Sequence, residues 1–544
     1  MKSFLNKIPS RIYIALSGFL LGFTVIFAEI GLAAFIAIIP LALMLYKRSE
    51  GAKYGIGKAY LDGFIFYMSF DIVIFHWFTY FYPLEFAGLT KSEAILVIAL
   101  AWIGLSALQS VFSAIVFVLI SRFMKTAIYK KHPILLAPYA ACLWAINEWT
   151  QTFTWAGVPW GRVAISQTEM PIMMQNASLF GSYFLTFVIV LFNFLVAYAI
   201  RYADKRKMAS VVAGVVLLTH VLCGTVLYFI PTKNEDKSIT VASIQGNLES
   251  QSNYGITNSE TFNIYAEQTK RAAEDGAKLI IWPEGVLPSD INTYIRPENS
   301  VKSITISSAV SNLAKKYNVT IVMGSYYKLE KDGEEKLYNC MSAFYPDGTS
   351  NIGAYAKIRL VPFGEYMPMR DFISAVVPAL SQINMLSSDV GMGTESTVFD
   401  ATTDENAIQI GTLICFDSIY ETLAIDTSRV GAEMFIVPSN DSWFYDSRAM
   451  NMHHSQNILR AVEQGKYTVN CGNTGITSVL SDKGEIISEM PIYERGYVLD
   501  TVYANETRTL YSYVGNLFVY ICIVVVVLPF VVNVGYNLYK KRAK

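Results

Sequence analysis

Apolar runs long enough to cross a lipid bilayer fill most of the chain up to residue 230 and recur near its end. A membrane-spanning helix needs about 20 predominantly apolar residues. Because six further runs follow the first before a polar region begins, we interpret the first run as a span and not as a cleaved signal peptide. The pattern predicts eight transmembrane helices, at roughly 12–28, 30–46, 59–80, 93–120, 133–150, 178–200, 208–230 and 511–536.

Cationic residues are concentrated in alternate connections between these runs. Near the spans, the opposite connections hold only Lys91 and Arg162. Since Lys and Arg mark the cytoplasmic loops of membrane proteins, we expect both termini in the cytoplasm and the segment between spans seven and eight outside it. The cationic residues that decide this are Lys47, Arg48, Lys53, Lys58, Arg122, Lys125, Lys130, Lys131, Arg201, Lys205, Arg206, Lys207, Lys540, Lys541, Arg542 and Lys544.

The composition changes after the polar linker at 231–237, where charged and turn-forming residues become as frequent as in a soluble protein. We therefore expect three regions: a seven-helix transmembrane domain at 1–235, a soluble domain at 236–506, and a final helix with a basic tail at 507–544.

Strand-like and helix-like patterns alternate in the soluble region, which predicts a layered α/β fold. The turns at 346–348 and 482–484 each separate two strand-like segments, so two short antiparallel elements are expected there as well. The predicted strands lie at 239–244, 278–283, 319–325, 352–360, 407–415 and 434–438 and the helices at 258–275, 301–317, 418–429 and 451–465.

Composition excludes several classes of protein. Hydrophobic residues make up 53% of the chain and charged residues 16%, which agrees with a membrane protein. A formal net charge of -1 argues against a nucleic-acid partner, because such a protein needs a surplus of Lys and Arg. The six cysteines show no CxxC spacing, so neither a metal site nor a disulfide framework is predicted.

One cysteine lies where a nucleophile is expected. The apolar run from Ile408 ends at Cys415, and a helical pattern begins almost at once. A thiol at such a junction is exposed at the sheet edge and lies near a helix N-terminus, which favours the thiolate. The alternative is a buried structural cysteine.

Two further segments end strands in charged residues. Glu284 follows the apolar run 277–283, where desolvation would raise its pKa and suit it to accept a thiol proton; the alternative is a solvated turn carboxylate. Lys357 alternates with Tyr355 and Arg359 before a Pro/Gly-rich turn that holds Glu365. An ammonium beside Cys415 would stabilise thiolate and oxyanion, whereas the alternative is an amphipathic edge strand with its charges in water.

Taken together, these three segments resemble the nitrilase superfamily, whose catalytic set is Glu, Lys and Cys in that chain order. The resemblance implies an α-β-β-α sandwich with Glu284 as general base, Lys357 as oxyanion stabiliser and Cys415 as nucleophile. It also implies supporting roles for Asn339, Glu365 and Asp417. Glu365 is expected to position Lys357 or Glu284, and the alternative is a structural turn carboxylate. No cofactor or metal is implied.

Within that superfamily, the chain resembles apolipoprotein N-acyltransferases, which carry the nitrilase domain before a last transmembrane helix. Phe416-Asp417 stands where that family usually has Tyr-Glu, Tyr254 stands for a usual tryptophan, and His453 matches a family histidine only approximately. The segments that carry the resemblance are Gln245-Gly-Asn247, Trp282-Pro-Glu284, Tyr338-Asn339, Leu360–Pro368, Asn440-Asp-Ser-Trp443-Phe, Arg460–Gly465, Trp144–Trp149 and Trp155–Gly161.

The resemblance implies transfer of an acyl chain from a phospholipid, with phosphatidylethanolamine as the expected donor, through a Cys415 thioester to the N-terminal amine of the lipid-modified cysteine of lipoproteins. The expected location is the inner membrane of a bacterium, with the catalytic domain on its outer side. Aromatic residues expected to line a lateral entrance for lipid are Trp155, Trp160, Tyr254, Phe416 and Trp443.

Two other functions remain open at this point. A membrane-anchored amidase would hydrolyse the thioester with water and release ammonia from small amides. A nitrilase-like binding module without catalysis would leave Cys415 unreactive towards a thiol probe.

Overall fold

The computed structural model describes residues 9–50, 54–84, 89–232, 234–248, 256–287, 289–298, 300, 302–331, 334–371, 375, 389–403 and 407–542. These residues form two compact units. The first contains the described residues among 1–84, 89–230 and 514–544, and the second those among 231–513.

Helices form the first unit. Within the described residues, their bounds are α1 Ser10–Ile26, α2 Ala34–Ala37, α3 Ile39–Glu50, α4 Ile56–Ile74, α5 Lys91–Ser113, α6 Ile115–Phe123, α7 Ala127–Lys131, α8 Leu136–Thr150, α9 Pro171–Met174, α10 Ala177–Phe180, α11 Ser182–Arg201, α12 Arg206–Phe229 and α18 Leu517–Arg542.

Five helical segments are long and apolar enough to cross a membrane: Ala28–Glu50, Lys91–Phe123, Ser182–Arg201, Ala203–Phe229 and Leu517–Gly535. The prediction of apolar membrane helices is confirmed, but the count of eight is not. The other three predicted spans are helices of a different character. α1 and α8 have 17 and 15 residues, and α4 carries Lys58, Asp62 and Asp71.

Small residues allow close packing inside this unit. A Cβ on Gly18 of α1 would lie 2.3 Å from the Phe66 carbonyl oxygen of α4, and one on Gly22 would lie 2.8 Å from Val73. Close backbone approach through small residues is how helices associate where lipid supplies no hydrophobic driving force. By contrast, α12 and α18 expose rows of valine and leucine, a surface suited to lipid and unfavourable in water.

The second unit has two six-stranded sheets flanked by helices. Its helices are α13 Asn258–Glu274, α14 Ile306–Tyr317, α15 Glu421–Arg429, α16 Ala449–Gln464 and α17 Leu510–Val514. Its strands are β1 Ser238–Gln245, β2 Leu279–Trp282, β3 Tyr294–Ile295, β4 Ile304–Thr305, β5 Thr320–Lys331, β6 Glu334–Phe344, β7 Ser350–Ala356, β8 Val398–Asp400, β9 Gln409–Thr412, β10 Met434–Ser439, β11 Thr468–Gly472, β12 Thr477–Leu480, β13 Ile486–Met490 and β14 Gly496–Tyr503.

Parallel strands form the centre of both sheets. The first has the order β14-β1-β2-β5-β6-β7, with β1, β2 and β5 parallel. The second has the order β13-β12-β11-β10-β9-β8, with β9, β10 and β11 parallel. The two predicted antiparallel elements are confirmed as the hairpins β6–β7 and β12–β13.

Alternation along the strands of the first sheet divides its side chains between two cores. In β2, Leu279 and Ile281 join the core shared by the two sheets, whereas Ile280 and Trp282 join the core beneath α13 and α14. This is the period of two expected of a strand buried on both faces. α15 packs against the second sheet, where a Cβ on Gly411 of β9 would meet the Thr427 side chain. The predicted α-β-β-α sandwich is therefore confirmed.

Candidate active site

The three residues of the predicted catalytic set come from strand ends on both sheets. Glu284 lies two residues after β2, and Lys357 directly follows β7, both in the first sheet. Cys415 lies three residues after β9 in the second sheet. Because the carboxyl ends of parallel strands form the crevice of an α/β sheet, facing sheets bring these distant residues together.

Lys357 and Glu284 form a buried ion pair. The Lys357 Nζ lies 2.7 Å from Glu284 Oε1 and 3.0 Å from the Glu365 carboxylate. The Lys357 side chain is only 1% exposed and that of Glu284 9%, so the alternatives of an edge lysine in water and a solvated turn carboxylate are both wrong. A buried ammonium with two carboxylate partners is held in one position, as an oxyanion stabiliser requires.

Asn339 and Glu365 complete this network. The Asn339 amide donates to Glu284 Oε1 at 2.8 Å and to Glu365 Oε1 at 3.0 Å. The Glu365 Oε2 accepts the Val361 amide at 2.8 Å, and the Asn440 amide donates to the second oxygen of Glu284 at 3.1 Å. The predicted supporting residues therefore lie beside the catalytic set, and Glu365 both contacts Lys357 and fixes its own turn.

Cys415 adopts a backbone conformation that is rare outside glycine. Its φ is +47°, in the left-handed region, at the point where the chain turns from β9 into a short 3-10 helix at Cys415–Ile419. Such strained positions are concentrated at functional sites. Cys415 is a partly exposed residue that lies beside Glu284 and helps to lower its pKa, which agrees with the predicted elbow and not with a buried structural cysteine.

The charges of the site differ from the simplest expectation. Burial and the adjacent Glu284 raise the pKa of Cys415 well above its usual value, and Lys357 opposes this without cancelling it. Burial also acts to raise the pKa of Glu284, but Lys357 outweighs it and the pKa falls below its usual value. Glu284 and Glu365 overcome the effect of burial on Lys357, so its pKa is raised. The resting site therefore holds a neutral thiol, a carboxylate and an ammonium, where a thiolate had been expected.

Asp417 contacts the turn of the nucleophile and the lysine segment. Its carboxylate accepts the Tyr355 hydroxyl at 2.7 Å, the Arg359 amide at 2.6 Å and the Ile414 amide at 3.2 Å. Lys357 acts on it only through its charge. Burial raises the pKa of Asp417 to about 7 against that influence. Asp417 thus links the segment around Lys357, in the first sheet, to the residue that precedes Cys415, in the second sheet. It forms no hydrogen bond with the Lys357 ammonium.

The predicted lipid-contact residues of the second unit differ in their environment. Phe416 is buried and packs edge-on against Tyr420, with ring centroids 5.6 Å apart, whereas Trp443 is half-buried. Tyr254 lies outside the described residues. Phe416 is thus a packing residue of the nucleophile turn, and Trp443 retains an accessible face.

In the first unit, Trp155 and Trp160 also differ. Trp155 is exposed, while Trp160 is buried with its ring 5.9 Å from that of Trp77. Ring packing therefore accounts for Trp160, and of these two residues Trp155 alone presents an accessible aromatic surface.

The side chains of Asp441 and His453 lie beside Cys415, a cluster that the sequence analysis did not predict. Donor atoms of Cys415, Asp441 and His453 all lie within 4.8 Å of one another. Both imidazole nitrogens already face oxygen atoms: Nδ1 lies 3.0 Å from Asp441 Oδ1, and Nε2 lies 3.1 Å from the Cys415 carbonyl oxygen. The cluster therefore fits a hydrogen-bonded pair better than a metal site. The sequence signal was weak, since Asp441 appeared only inside a longer motif.

Comparison with known families agrees with this geometry. Residues 240–511 match the model of the carbon-nitrogen hydrolase family, and residues 17–195 match that of the apolipoprotein N-acyltransferase N-terminal domain. The chain belongs to the apolipoprotein N-acyltransferase branch of the carbon-nitrogen hydrolases. The likeness covers both units of the chain.

Named apolipoprotein N-acyltransferases match most of this length. The protein from Geobacter metallireducens is 28% identical over 526 residues, which covers 95% of this chain and 94% of the relative. The protein from Wigglesworthia glossinidia brevipalpis is 24% identical and covers 87% of this chain and 86% of its own. N-acyltransferase relatives thus extend across the helical unit as well as the sandwich.

Solved structures of nitrilase-superfamily members are similar to about half of the chain. Nit3 of Saccharomyces cerevisiae is 20% identical, covers 51% of this chain and 93% of its own, and gives a TM-score of 0.36. A C145A mutant of the amidase of Nesterenkonia AN1 is 16% identical, covers 53% of this chain and 98% of its own, and gives a TM-score of 0.36.

Proposed function

We propose that this protein transfers an acyl chain from a membrane phospholipid, through a thioester on Cys415, to the N-terminal α-amine of the diacylglyceryl-cysteine of apolipoproteins. The observation that carries the proposal is that one chain combines an N-acyltransferase helical region with the Glu284, Lys357 and Cys415 network. A soluble amidase needs only the second of these. Lipoproteins and the membrane are therefore the partners, and neither the amidase nor the non-catalytic reading is favoured.

The first half-reaction forms the thioester. Glu284 removes the thiol proton as the Cys415 sulfur attacks the ester carbonyl of the phospholipid. The negative charge that develops on the carbonyl oxygen is stabilised by Lys357, and one such donor contributes about 3 kcal/mol to lowering the barrier. The tetrahedral intermediate then collapses: the ester C–O bond breaks, Glu284 returns the proton to the leaving oxygen, and lysophospholipid departs.

The second half-reaction forms the amide. The lipoprotein amine attacks the thioester carbonyl and Glu284 accepts the amine proton. The C–S bond breaks as the C–N bond is completed, and the proton passes to the Cys415 sulfur. The network of Asn339, Asn440 and Glu365 keeps Glu284 and Lys357 in place throughout, so the same groups serve both steps.

The arrangement in the membrane is part of the proposal. We propose eight spans and three regions, with the helical domain at 1–235, the catalytic domain at 236–506 and the last helix with its tail at 507–544. The alternating cationic connections support cytoplasmic termini and a catalytic domain on the outer side of a bacterial inner membrane. The exposed apolar surface of α12 and α18 supports membrane residence.

The choice of donor and its route are further parts of the proposal. We take phosphatidylethanolamine as the donor. Accessible aromatic surface on Trp155 and Trp443 supports their contact with lipid chains, while Tyr254 is assigned from the resemblance alone.

The deciding experiment measures the thioester directly. Purified protein is incubated with phosphatidylethanolamine and its intact mass is recorded before and after hydroxylamine, which cleaves thioesters. We expect one labile acyl adduct in the wild type and in Cys340→Ser, since Cys340 is a buried cysteine of β6. Cys415→Ala is expected to carry no adduct.

The acceptor is tested on the isolated acyl-enzyme. A synthetic diacylglyceryl-cysteine peptide with a free amine is expected to gain the acyl chain and to restore the original mass of the protein, whereas the N-acetylated peptide is expected to do neither. Loss of the adduct to water at the same rate with and without the free peptide would contradict acyl transfer and support hydrolysis. An adduct that persists in Cys415→Ala would place the nucleophile elsewhere.

A further inference from the structure

His453 is a buried residue of α16 that touches the nucleophile turn without belonging to the Glu284, Lys357 and Cys415 set. Its Nδ1 lies 3.0 and 3.1 Å from the two oxygens of Asp441. Its Nε2 lies 3.1 Å from both the Cys415 carbonyl oxygen and the Ser418 Oγ. Histidine and aspartate are 1% and 4% exposed, so water competes little for these contacts.

The surrounding atoms favour the doubly protonated form of this histidine. Both oxygens of the Asp441 carboxylate only accept hydrogen bonds, so Nδ1 must carry a proton. On the other side, the Ser418 hydroxyl donates its single proton to the Cys415 carbonyl oxygen at 2.9 Å. An unprotonated Nε2 would then direct its lone pair at two oxygen atoms. An imidazolium satisfies all four contacts, and its positive charge pairs with Asp441.

Electrostatics supports the same state. Burial lowers the pKa of His453, but Asp441 and the Cys415 carbonyl outweigh it and raise the pKa above its usual value. Glu284, from the segment after β2, acts in the same direction. The neighbouring His454 has its pKa lowered to about 4 by burial and is neutral at pH 7. Since the pKa of His453 is raised, its contribution to stability is fully present below the pKa of the unfolded state and is lost as the pH rises through the folded value.

The pair has two effects on Cys415. Hydrogen bonds from His453 and Ser418 fix the Cys415 carbonyl. They thereby stabilise the left-handed backbone conformation of Cys415, with a φ of +47°, which residues other than glycine rarely adopt. The imidazolium also compensates the charge of Asp441, a carboxylate that raises the pKa of the Cys415 thiol. An uncompensated Asp441 would oppose formation of the thiolate more strongly.

We propose that Asp441 and His453 form a buried ion pair that positions Cys415, by holding its carbonyl in the strained turn and by shielding the thiol from the Asp441 charge. Both are positioning residues, since they act through Cys415. The proposal rests on the role of Cys415 in the proposed function, but it is tested on the thiol itself without any lipid.

The test compares the full-length variants His453→Gln and Asp441→Asn in detergent. Alkylation of Cys415 by iodoacetamide is followed against pH by peptide mapping, which separates it from the other cysteines. In His453→Gln, Asp441 loses its counter-ion, so the midpoint of the profile is expected to move to higher pH by about one unit. In Asp441→Asn the carboxylate charge is gone, so the midpoint is expected to move to lower pH.

Thioester formation supplies a second measurement. Both variants are expected to acylate between about 10-fold and 100-fold more slowly than the wild type, because a displacement near 1 Å at a reacting group costs about 100-fold. The matched control is His454→Gln, since His454 is the adjacent buried histidine and hydrogen-bonds to Ser478 at 2.8 Å instead. It is expected to keep the wild-type midpoint and rate.

The outcomes are distinguishable. Opposite shifts of the midpoint in His453→Gln and Asp441→Asn support the ion pair, because a general loss of structure would move both in the same direction. Equal midpoints in His453→Gln, His454→Gln and the wild type overturn it. If His453→Gln does not accumulate, the direction of the Asp441→Asn shift decides alone. Failure of the wild type to acylate would refute the proposed function while leaving the thiol profiles interpretable.

Discussion

Replacement of Lys357 by methionine tests the centre of the site. Methionine keeps the length and apolar stem of the side chain but removes the ammonium that lies 2.7 Å from Glu284 and 3.0 Å from Glu365. The buried carboxylate of Glu284 and the partly exposed carboxylate of Glu365 then face each other without a cation. Removing one partner of a buried ion pair costs about 3–5 kcal/mol of stability, and loss of one oxyanion donor slows the chemistry by about 100-fold to 1,000-fold.

A change in pH dependence should accompany the slower reaction. Lys357 is the influence that holds the pKa of Glu284 below its usual value despite burial. Without it, burial and the charge of Glu365 raise the pKa of Glu284. A protonated Glu284 cannot accept the thiol proton, so the residual activity of Lys357→Met should require a higher pH than the activity of the wild type.

The matched control for Lys357→Met is Lys466→Met. Lys466 is also fully buried in the second unit, but its Nζ donates to the carbonyl oxygens of Asn505 and Thr507 and not to a carboxylate. Both variants should lose thermal stability. Single-turnover acylation is followed by intact mass at a series of pH values. Only Lys357→Met, and not Lys466→Met, should acylate slowly and have the midpoint of its pH profile at a higher pH. Equal acylation rates and pH midpoints in the two variants would refute the role of Lys357 in the chemistry.

Three further perturbations test the surrounding network. Glu365→Gln removes one of the two carboxylates that contact Lys357. Single-turnover acylation should slow by about 10-fold while the melting temperature changes little. An unchanged rate would mean that Glu365 only stabilises its turn. Tyr355→Phe removes a 2.7 Å hydrogen bond to Asp417 and should cost about 1.5–3 kcal/mol in denaturant unfolding, more than Tyr345→Phe, whose hydroxyl bonds a carbonyl at 3.2 Å. The pKa of Asp417 is raised from 3.8 to about 7, so the free energy of unfolding should fall by up to about 4 kcal/mol as the pH rises from about 4 to 7. Asp417→Asn should reduce this fall when denaturant unfolding is compared at pH 5 and pH 8.

Part of the site could be predicted from local sequence. Apolar runs that stop at Glu284 and Cys415 indicated strand ends, and the structure places both residues just beyond β2 and β9. The turns at 346–348 and 482–484 indicated hairpins that are present. These features depend on neighbours a few residues away, which is the range over which periodicity and turn chemistry carry information.

Other features depend on contacts between distant segments. Lys357 has the alternating pattern of an exposed edge strand, and only the packing of Glu284 and Glu365 against it accounts for its burial. The contact between His453 and the Cys415 carbonyl oxygen joins residues 38 positions apart, because α16 packs against the nucleophile turn. The protonation of Cys415 follows from the balance of burial and four charges, which no local pattern contains.

The membrane region shows a similar division. Hydropathy located the long apolar helices, because length and composition suffice for a helix surrounded by lipid. The same pattern predicted a span at 59–80 that overlaps α4, although α4 buries charged residues. Asp62 accepts from Arg11 at 3.5 Å and pairs with Arg48 at 3.0 Å, and Asp71 accepts from Ser110 at 3.1 Å. Charged side chains that are satisfied inside a helical bundle lower the hydropathy of a segment without exposing it to water.

The division of the catalytic residues between two sheets has a consequence for biosynthesis. During translation the segment with Glu284 and Lys357 emerges first, and until the strands that carry Cys415 and Asn440 dock against it, no protein molecule has both a base and a nucleophile in reach of each other. An incompletely folded chain in the membrane is therefore chemically silent towards the lipids around it. Acyl chemistry therefore requires the two sheets to be packed against each other, so activity itself reports that the catalytic domain has folded.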